Sequence, residues 1–175
     1  MGIKLEIGCG LTPHEGYEHL DIKPYPHVEY VSDARKIALP DNSCSEIFSL
    51  NTIEHFWWFE QEALIKEWAR IMEPGGKMLI YTVDFAVTIK DWANGGWKKE
   101  VDSLQGPGYN WIHNSDVDRN MWLNYKLFGT NCPGNAHITA FTFELMKSLM
   151  EKAGLKNIKR LTRNDDYVLA VEAYK

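Results

Sequence analysis

The sequence predicts an α/β fold: a seven-stranded, mostly parallel sheet whose last strand is antiparallel. Three observations lead there. Short apolar segments alternate with amphipathic helical stretches, the pattern of a layered α/β domain. The chain has 175 residues, 45% apolar and 25% charged, which suits one globular domain with one continuous core. Finally, the strand-like segments 157–161 and 167–174 are separated only by a polar turn, Arg163-Asn164-Asp165-Asp166. So short a link joins antiparallel neighbours, never parallel ones.

The elements follow in order. Residues 4–7 (KLEI) form a first strand that stops at Gly8. Residues 17–22 and 28–31 are the second and third. Residues 46–50 (EIFSL) are the fourth, entered through the turn Pro40-Asp41-Asn42-Ser43. Over 59–72, Leu64, Ile65, Trp68, Ile71 and Met72 make an apolar stripe, with Glu60, Glu62, Lys66, Glu67 and Arg70 opposite it. That spacing predicts a helix, ended by Pro74-Gly75-Gly76. Residues 77–83 (KMLIYTV) read as a buried fifth strand. A second helix is predicted over 142–153, with Thr142 as N-cap, Leu145, Met146, Leu149, Met150 and Ala153 as its stripe, and Gly154 as terminator.

Residues 85–135 break the alternation. This stretch holds Trp92, Trp97, Trp111 and Trp122, four of the seven tryptophans, with Gly95-Gly96, Gly106-Pro107-Gly108 and a predicted helix over 117–128. An insert after a buried strand stands where α/β folds bind ligands, beyond the strands' carboxyl ends. It is expected to cap the active site and supply the acceptor pocket, with Asp116, Asp118 and Arg119 as polar handles. The alternative is that it packs on a second copy of the chain as a homodimer contact.

Composition narrows the function. A net charge of −5 disfavours a nucleic-acid backbone as partner. No apolar run approaches the ~20 residues of a membrane span, and no signal peptide is predicted. Cys9, Cys44 and Cys132 are odd in number and lack CxxC spacing, so the expectation is a reducing, cytoplasmic setting with no metal site.

The glycine turn Glu6-Ile7-Gly8-Cys9-Gly10-Leu11-Thr12-Pro13 follows the first strand, and Asp21 ends the second. Thirteen positions separate Gly8 from Asp21, against roughly 20 in dinucleotide-binding folds. Residues 8–16 include Pro13 and Gly16 and hold no useful helix, so the helix N-terminus that binds pyrophosphate is missing. NAD and FAD are therefore disfavoured, and with them an oxidoreductase. The link is also short for a parallel crossover, which must then be an irregular loop.

The order ExGCGxxP, Asp21, Ser32-Asp33-Ala34, Leu39-Pro40-Asp41-Asn42-Ser43, Asn51-Thr52-Ile53-Glu54-His55-Phe56 and Trp68-Ala69-Arg70-Ile71-Met72-Glu73-Pro74-Gly75-Gly76 resembles a class I S-adenosylmethionine-dependent methyltransferase. It is similar to the type 11 group with a shortened first crossover. The resemblance covers residues 3–84 and resumes at 137–154 and the closing hairpin; the insert lies outside it. It implies a Rossmann-like fold and S-adenosylmethionine as cofactor. Glu6 would orient the glycine loop near the methionine amino group. Gly8 and Gly10, flanking Cys9, would let the backbone approach methionine and ribose. Asp21 would bind the ribose hydroxyls and Ile22 would pack on the adenine. Asp33 would accept from the adenine amino group beside Ala34, and Asn51 would approach the methionine part.

For chemistry, His55 and His137 have the intrinsic pKa for removing a proton from an oxygen or nitrogen acceptor. Each has a structural alternative: capping or packing for His55, a purely structural role for His137. His113 reads as surface, and Trp57-Trp58-Phe59 as a lid or, more commonly, packing. No AspProProTyr-like sequence follows strand four and no ProCys is present, which disfavours base methylation of DNA. The expectation is a methyltransferase acting on a small-molecule acceptor, the alternative a non-catalytic cofactor-binding module.

Overall fold

The structure, a computed structural model, describes residues 2–96, 115–129, 136–162 and 167–175. Trp97, Trp111, His113, Gly106-Pro107-Gly108, Cys132 and the turn 163–166 lie outside the described residues, as do the side chains of Asp116, Asp118 and Arg119.

The strands are β1 (Ile3–Ile7), β2 (Glu18–Asp21), β3 (Tyr30–Val31), β4 (Cys44–Leu50), β5 (Met72–Val83), β6 (Lys156–Arg160) and β7 (Val168–Tyr174). They form one seven-stranded sheet in the order β3-β2-β1-β4-β5-β7-β6. The β1–β2, β2–β3, β1–β4 and β4–β5 pairs are parallel; β7 runs antiparallel to both β5 and β6. The Rossmann-like mixed sheet is the architecture expected, and its strand order reverses between β1 and β4. That reversal opens a crevice at the carboxyl ends of those two strands.

The helices are α1 (Gln61–Ile71), α2 (Phe85–Asn94), α3 (Ser115–Phe128) and α4 (Phe143–Lys152), with a 3-10 turn at Ile53–His55. Leu64, Ile65 and Trp68 of α1, with Met146, Leu149 and Met150 of α4, bury their stripes against Leu5, Ile7, Ile47, Met78 and Ile80. Thr142 caps α4, its side chain accepting from Leu145 N at 3.3 Å. Gly154 takes φ +84° after the helix, a conformation that favours glycine.

Two expectations are corrected. Pro74-Gly75-Gly76 does not separate helix from strand: α1 stops at Ile71, and β5 begins at Met72 and runs through these residues. Gly75 donates to the Lys175 carbonyl at 3.0 Å, so that stretch is tied to the end of the chain. The other correction is α2, a helix over the first part of the helical and loop insert, where the only helix predicted was over 117–128. Asp84 N-caps it by accepting from Val87 N at 3.1 Å, and Gly95 at φ +80° ends it. The Asp84 side chain is fully buried and pairs with Arg160 at 2.6 Å, which ties the start of the insert to β6.

The first crossover contains no helix. Residues 8–17 run as turns from β1 to β2. His14 and Tyr17 from this loop lie on Phe48 of β4, with ring centroids 4.7 and 5.3 Å away.

Candidate functional site

The glycine turn leaves β1 at the crevice. Gly8 N donates to Leu20 O at 2.7 Å and Gly10 N to Asp21 Oδ2 at 3.0 Å. Gly8 has φ +77°, and a Cβ there would stand 2.2 Å from Thr52 Oγ1. Glycine is required by both conformation and space. The Thr52 hydroxyl lies 3.1 to 3.3 Å from the carbonyls of Ile7, Gly8 and Leu50, binding the turn to the end of β4. Gly10 has φ +57° and nothing within 4 Å of its would-be Cβ, so its backbone faces open space.

A cavity of about 300 Å³ lies here, lined by Gly8, Gly10, Asp21, Ile22, Asp33 and Ala34 with Asn51, Thr52, His55 and Phe56. Asp21 also accepts from Lys23 N at 2.9 Å, so both carboxylate oxygens are fixed by backbone donors while facing the cavity. Ile22 is 65% exposed, an apolar surface on the cavity wall. Asp33 is held by Arg35, and the guanidinium's hydrogen bonds keep its carboxyl below the usual range. Helix α1 sets this wall: Trp68 Nε1 donates to Ala34 O at 3.0 Å, and Arg70 donates to the carbonyls of Ile37 and Leu39.

Glu6 and Cys9 sit behind the lining. Glu6 is buried and accepts from His14 N at 2.8 Å, with His14 Nδ1 at 2.7 Å, so it anchors the middle of the loop. Cys9 is buried, and burial, with Asp21 and Glu6 nearby, pushes its thiol up to about 11. It is therefore protonated at neutral pH and inert as a nucleophile.

A second cavity of about 350 Å³ shares Asn51 and His55 with the first. Its other walls are Thr82, Val83 and Val168 from the strands, His137 and Tyr167, and Tyr125, Lys126 and Gly129 from the insert. Helix α3 is seated by Trp122, which is fully buried and meets Tyr167 edge-on at 5.3 Å; Lys126 Nζ lies 4.6 Å from the Tyr167 ring centroid.

His55 and His137, 82 positions apart, come together with ring centroids 5.1 Å apart. The segment 136–139 is stitched to the 3-10 turn. His55 Nδ1 lies 3.1 Å from Ala136 O, Ile138 N and Thr139 N donate to Glu54 O, and Thr139 Oγ1 donates to Phe56 O at 2.7 Å. Gln61 Nε2 holds the turn from the other side, through the carbonyls of Ile53 and Phe56. Burial, with His55 alongside, pushes the His137 pKa down. Burial pushes that of Glu54 up.

Sequence reasoning missed Thr52, Tyr125 and Lys126, and gave Glu54 no role. Thr52 and Glu54 were signalled only as neighbours of Asn51 and His55. Tyr125 and Lys126 carried no signal, because an insert's position depends on tertiary packing. Trp57, Trp58 and Phe59 are all exposed, so packing in the core does not explain them.

Residues 15–80 match the methyltransferase domain family. No curated protein matches the chain. Among solved structures, a methyltransferase dependent on S-adenosylmethionine from Archaeoglobus fulgidus aligns over 99% of this chain and 86% of its own, at 15% identity and a TM-score of 0.62. One from Thermotoga maritima, named a possible histamine N-methyltransferase, aligns over 100% and 83%, at 18% identity and a TM-score of 0.56. A possible exported protein from Bordetella parapertussis aligns over 99% of this chain at 10% identity and a TM-score of 0.59; this chain spans 62% of its length.

The fold is shared with S-adenosylmethionine-dependent methyltransferases of known structure, and residues 15–80 are similar to the methyltransferase domain family. The residues present suit S-adenosylmethionine: a carboxylate at the end of β2 for vicinal hydroxyls, an exposed apolar side chain for a flat ring, and open space beside the Gly10 Cα. No helix among the described residues is long and apolar enough to cross a membrane.

Proposed function

We propose that the chain methylates an oxygen or nitrogen of a compact small molecule held in the second cavity. The observation that carries this reading is that the two cavities meet at Asn51 and His55. When bound, S-adenosylmethionine supplies an electrophilic methyl group. The protein's task is then alignment of the acceptor with that methyl. Gly8, Gly10, Asp21, Ile22, Asp33, Ala34 and Asn51 hold the cofactor side, and Glu6 with Cys9 supports the loop from behind. His55 and His137 face the acceptor, and the insert caps it through Tyr125 and Lys126. A pocket of this size, roofed by a helix, suits a small ligand better than a polymer. The net charge of −5 gives nucleic acid little attraction. The free thiols of Cys9 and Cys44 agree with a reducing, cytoplasmic setting.

The test is release of S-adenosylhomocysteine on incubation with a panel of small hydroxylated and amino compounds. The protein is compared with a form in which residues 92–128 are replaced by a short linker. Turnover of a panel compound by the full chain, lost in the shortened form while cofactor binding remains, is the expected result. Turnover that survives the replacement, with loss of a dimer on a sizing column, would assign the insert to a contact between copies instead.

A further inference from the structure

One nitrogen of His55, one of His137 and one carboxylate oxygen of Glu54 lie within 4.8 Å of one another. Three features set this group apart from a chance meeting. Glu54 is only 1% exposed, and no hydrogen bond of ordinary geometry reaches its carboxylate oxygens, whose polar neighbours are the Thr82 hydroxyl and His137 Nε2 at 3.8 Å. The buried Thr82 hydroxyl beside it likewise makes no hydrogen bond of ordinary geometry. A buried carboxyl so weakly satisfied is costly, and a cation removes that cost.

Each histidine, moreover, is anchored through the backbone. His55 Nδ1 faces the Ala136 carbonyl at 3.1 Å, which leaves Nε2 with its lone pair. The His137 ring is hydrogen-bonded to the Lys126 backbone, and its Nε2 stands 3.8 Å from Glu54 Oε1. Metal-binding histidines are oriented in this way, by donating the nitrogen that does not bind the metal. Finally, the ligands come from two segments already locked together by the Ile138, Thr139 and Glu54 backbone bonds, so the group is set before anything binds.

We propose that Glu54, His55 and His137 bind one divalent transition-metal cation, of the zinc type, on the wall of the acceptor cavity. Two imidazoles and a carboxylate are the ligand set of open zinc sites, which keep a fourth position free. Bonds of about 2.0–2.2 Å require the three donors to draw somewhat closer than they now stand, within the reach of small side-chain rotations. The free position faces the cavity that His55 and His137 line, where a hydroxyl or carboxylate oxygen of the acceptor completes the coordination. This role in recognising an oxygen-bearing acceptor rests on the reading of that cavity as the acceptor's; the metal site itself does not. Sequence reasoning expected no metal because it looked at cysteine spacing, and this site uses no cysteine.

The experiment uses the untagged full chain, stripped with chelator, dialysed and titrated with Zn²⁺ by calorimetry, with Co²⁺ absorption as a spectroscopic check. One equivalent of Zn²⁺ is expected, with affinity lowered by more than ~100-fold in Glu54→Gln and in His137→Gln, since loss of a ligand exceeds the loss of an outer partner. Neither residue lines the cofactor cavity, so unchanged S-adenosylhomocysteine binding reports that each variant is folded. His14→Gln, which alters the separate Glu6–His14 pair, leaves Zn²⁺ binding as it was. No stoichiometric binding by the folded protein, or binding indifferent to Glu54→Gln and His137→Gln, overturns the proposal. Metal binding with the panel of acceptors unturned would count against the acceptor reading alone; turnover without metal binding would count against the metal alone.

Discussion

Replacing Asp21 by Ala isolates the cofactor side of the site. Its two carboxylate oxygens already accept Gly10 N at 3.0 Å and Lys23 N at 2.9 Å. A carboxylate has about four acceptor positions, so about two remain for the cavity, enough for a pair of vicinal hydroxyls. Hydrogen bonds to charged groups contribute about 1.5–3 kcal/mol each; at the low end, two give about 3 kcal/mol. Affinity for S-adenosylhomocysteine should therefore fall about 100-fold in Asp21→Ala, read by calorimetry. The substitution also frees Gly10 N, so a bare loss of affinity does not identify the hydroxyls as the partners. A cycle with the 2′,3′-dideoxy ligand does. The wild-type protein should bind that ligand about 100-fold more weakly than the parent, whereas Asp21→Ala should discriminate less than ~3-fold, because the coupling belongs to the pair. If removing the hydroxyls costs both proteins the same factor, Asp21 does not touch the ribose and the reasoning fails.

Gly8→Ala should destabilise the fold by about 2–5 kcal/mol in urea melts, combining ~1–2 for a left-handed alanine with ~1–3 for the contact with Thr52. Adding Thr52→Ala should recover only part, since Thr52 Cβ would remain 2.9 Å away; a Gly8→Ala protein as stable as wild type would refute the packing argument. Glu67 is bonded by Arg70 and by Ile37 N, and Arg70 first of all holds its pKa below the usual value. Its stabilising share is thus fully present above the unfolded pKa of about 4.3 and fades as pH falls through the lower folded value. Glu67→Gln should cost about 1–3 kcal/mol at pH 7, and the gap to wild type should close in melts taken progressively below about pH 4; a gap constant with pH would contradict it.

The parts of the fold legible in the sequence were those set by local pattern. The stripe from Leu64 to Ile71, the Thr142 cap and the last strand, β7, each follow from a pattern within a few residues, and each appears in the structure at nearly its expected bounds. Helix α2 was legible in principle, through Asp84 as cap and Gly95 as stop, but the one helix predicted in the insert was placed over 117–128. At the site, it was the family resemblance that named Gly8, Gly10, Asp21, Ile22, Asp33, Ala34 and Asn51, and these residues, each at or just beyond a strand end, line one cavity. The meeting of Glu54 with His137 was not legible. It depends on the Ile138 and Thr139 backbone bonds across more than eighty positions, and no local pattern announces such a contact.

The lost first helix raises a question about rigidity that side chains answer. In a fold of this kind a helix after β1 would cover the sheet and fix the glycine turn. Here residues 8–17 carry both duties without one. His14 and Tyr17 cover Phe48, and the Tyr17 hydroxyl donates to Glu46 at 2.6 Å, a carboxylate also paired with Lys77 at 3.0 Å. Glu6 grips the loop at His14 from beneath, Thr52 binds its start to β4, and His27 Nε2 meets Gly10 O at 2.9 Å from the far side. The turn is thus held at three points by side chains from β1, the end of β4 and the segment after β2. Its backbone donors at Gly8 and Gly10 are spent on Leu20 and Asp21, so what remains for a ligand is the Asp21 carboxylate and the apolar surface of Ile22. A site made this way is suited to hydroxyls and a flat ring, and among the described residues the turn has no helix end to offer a pyrophosphate.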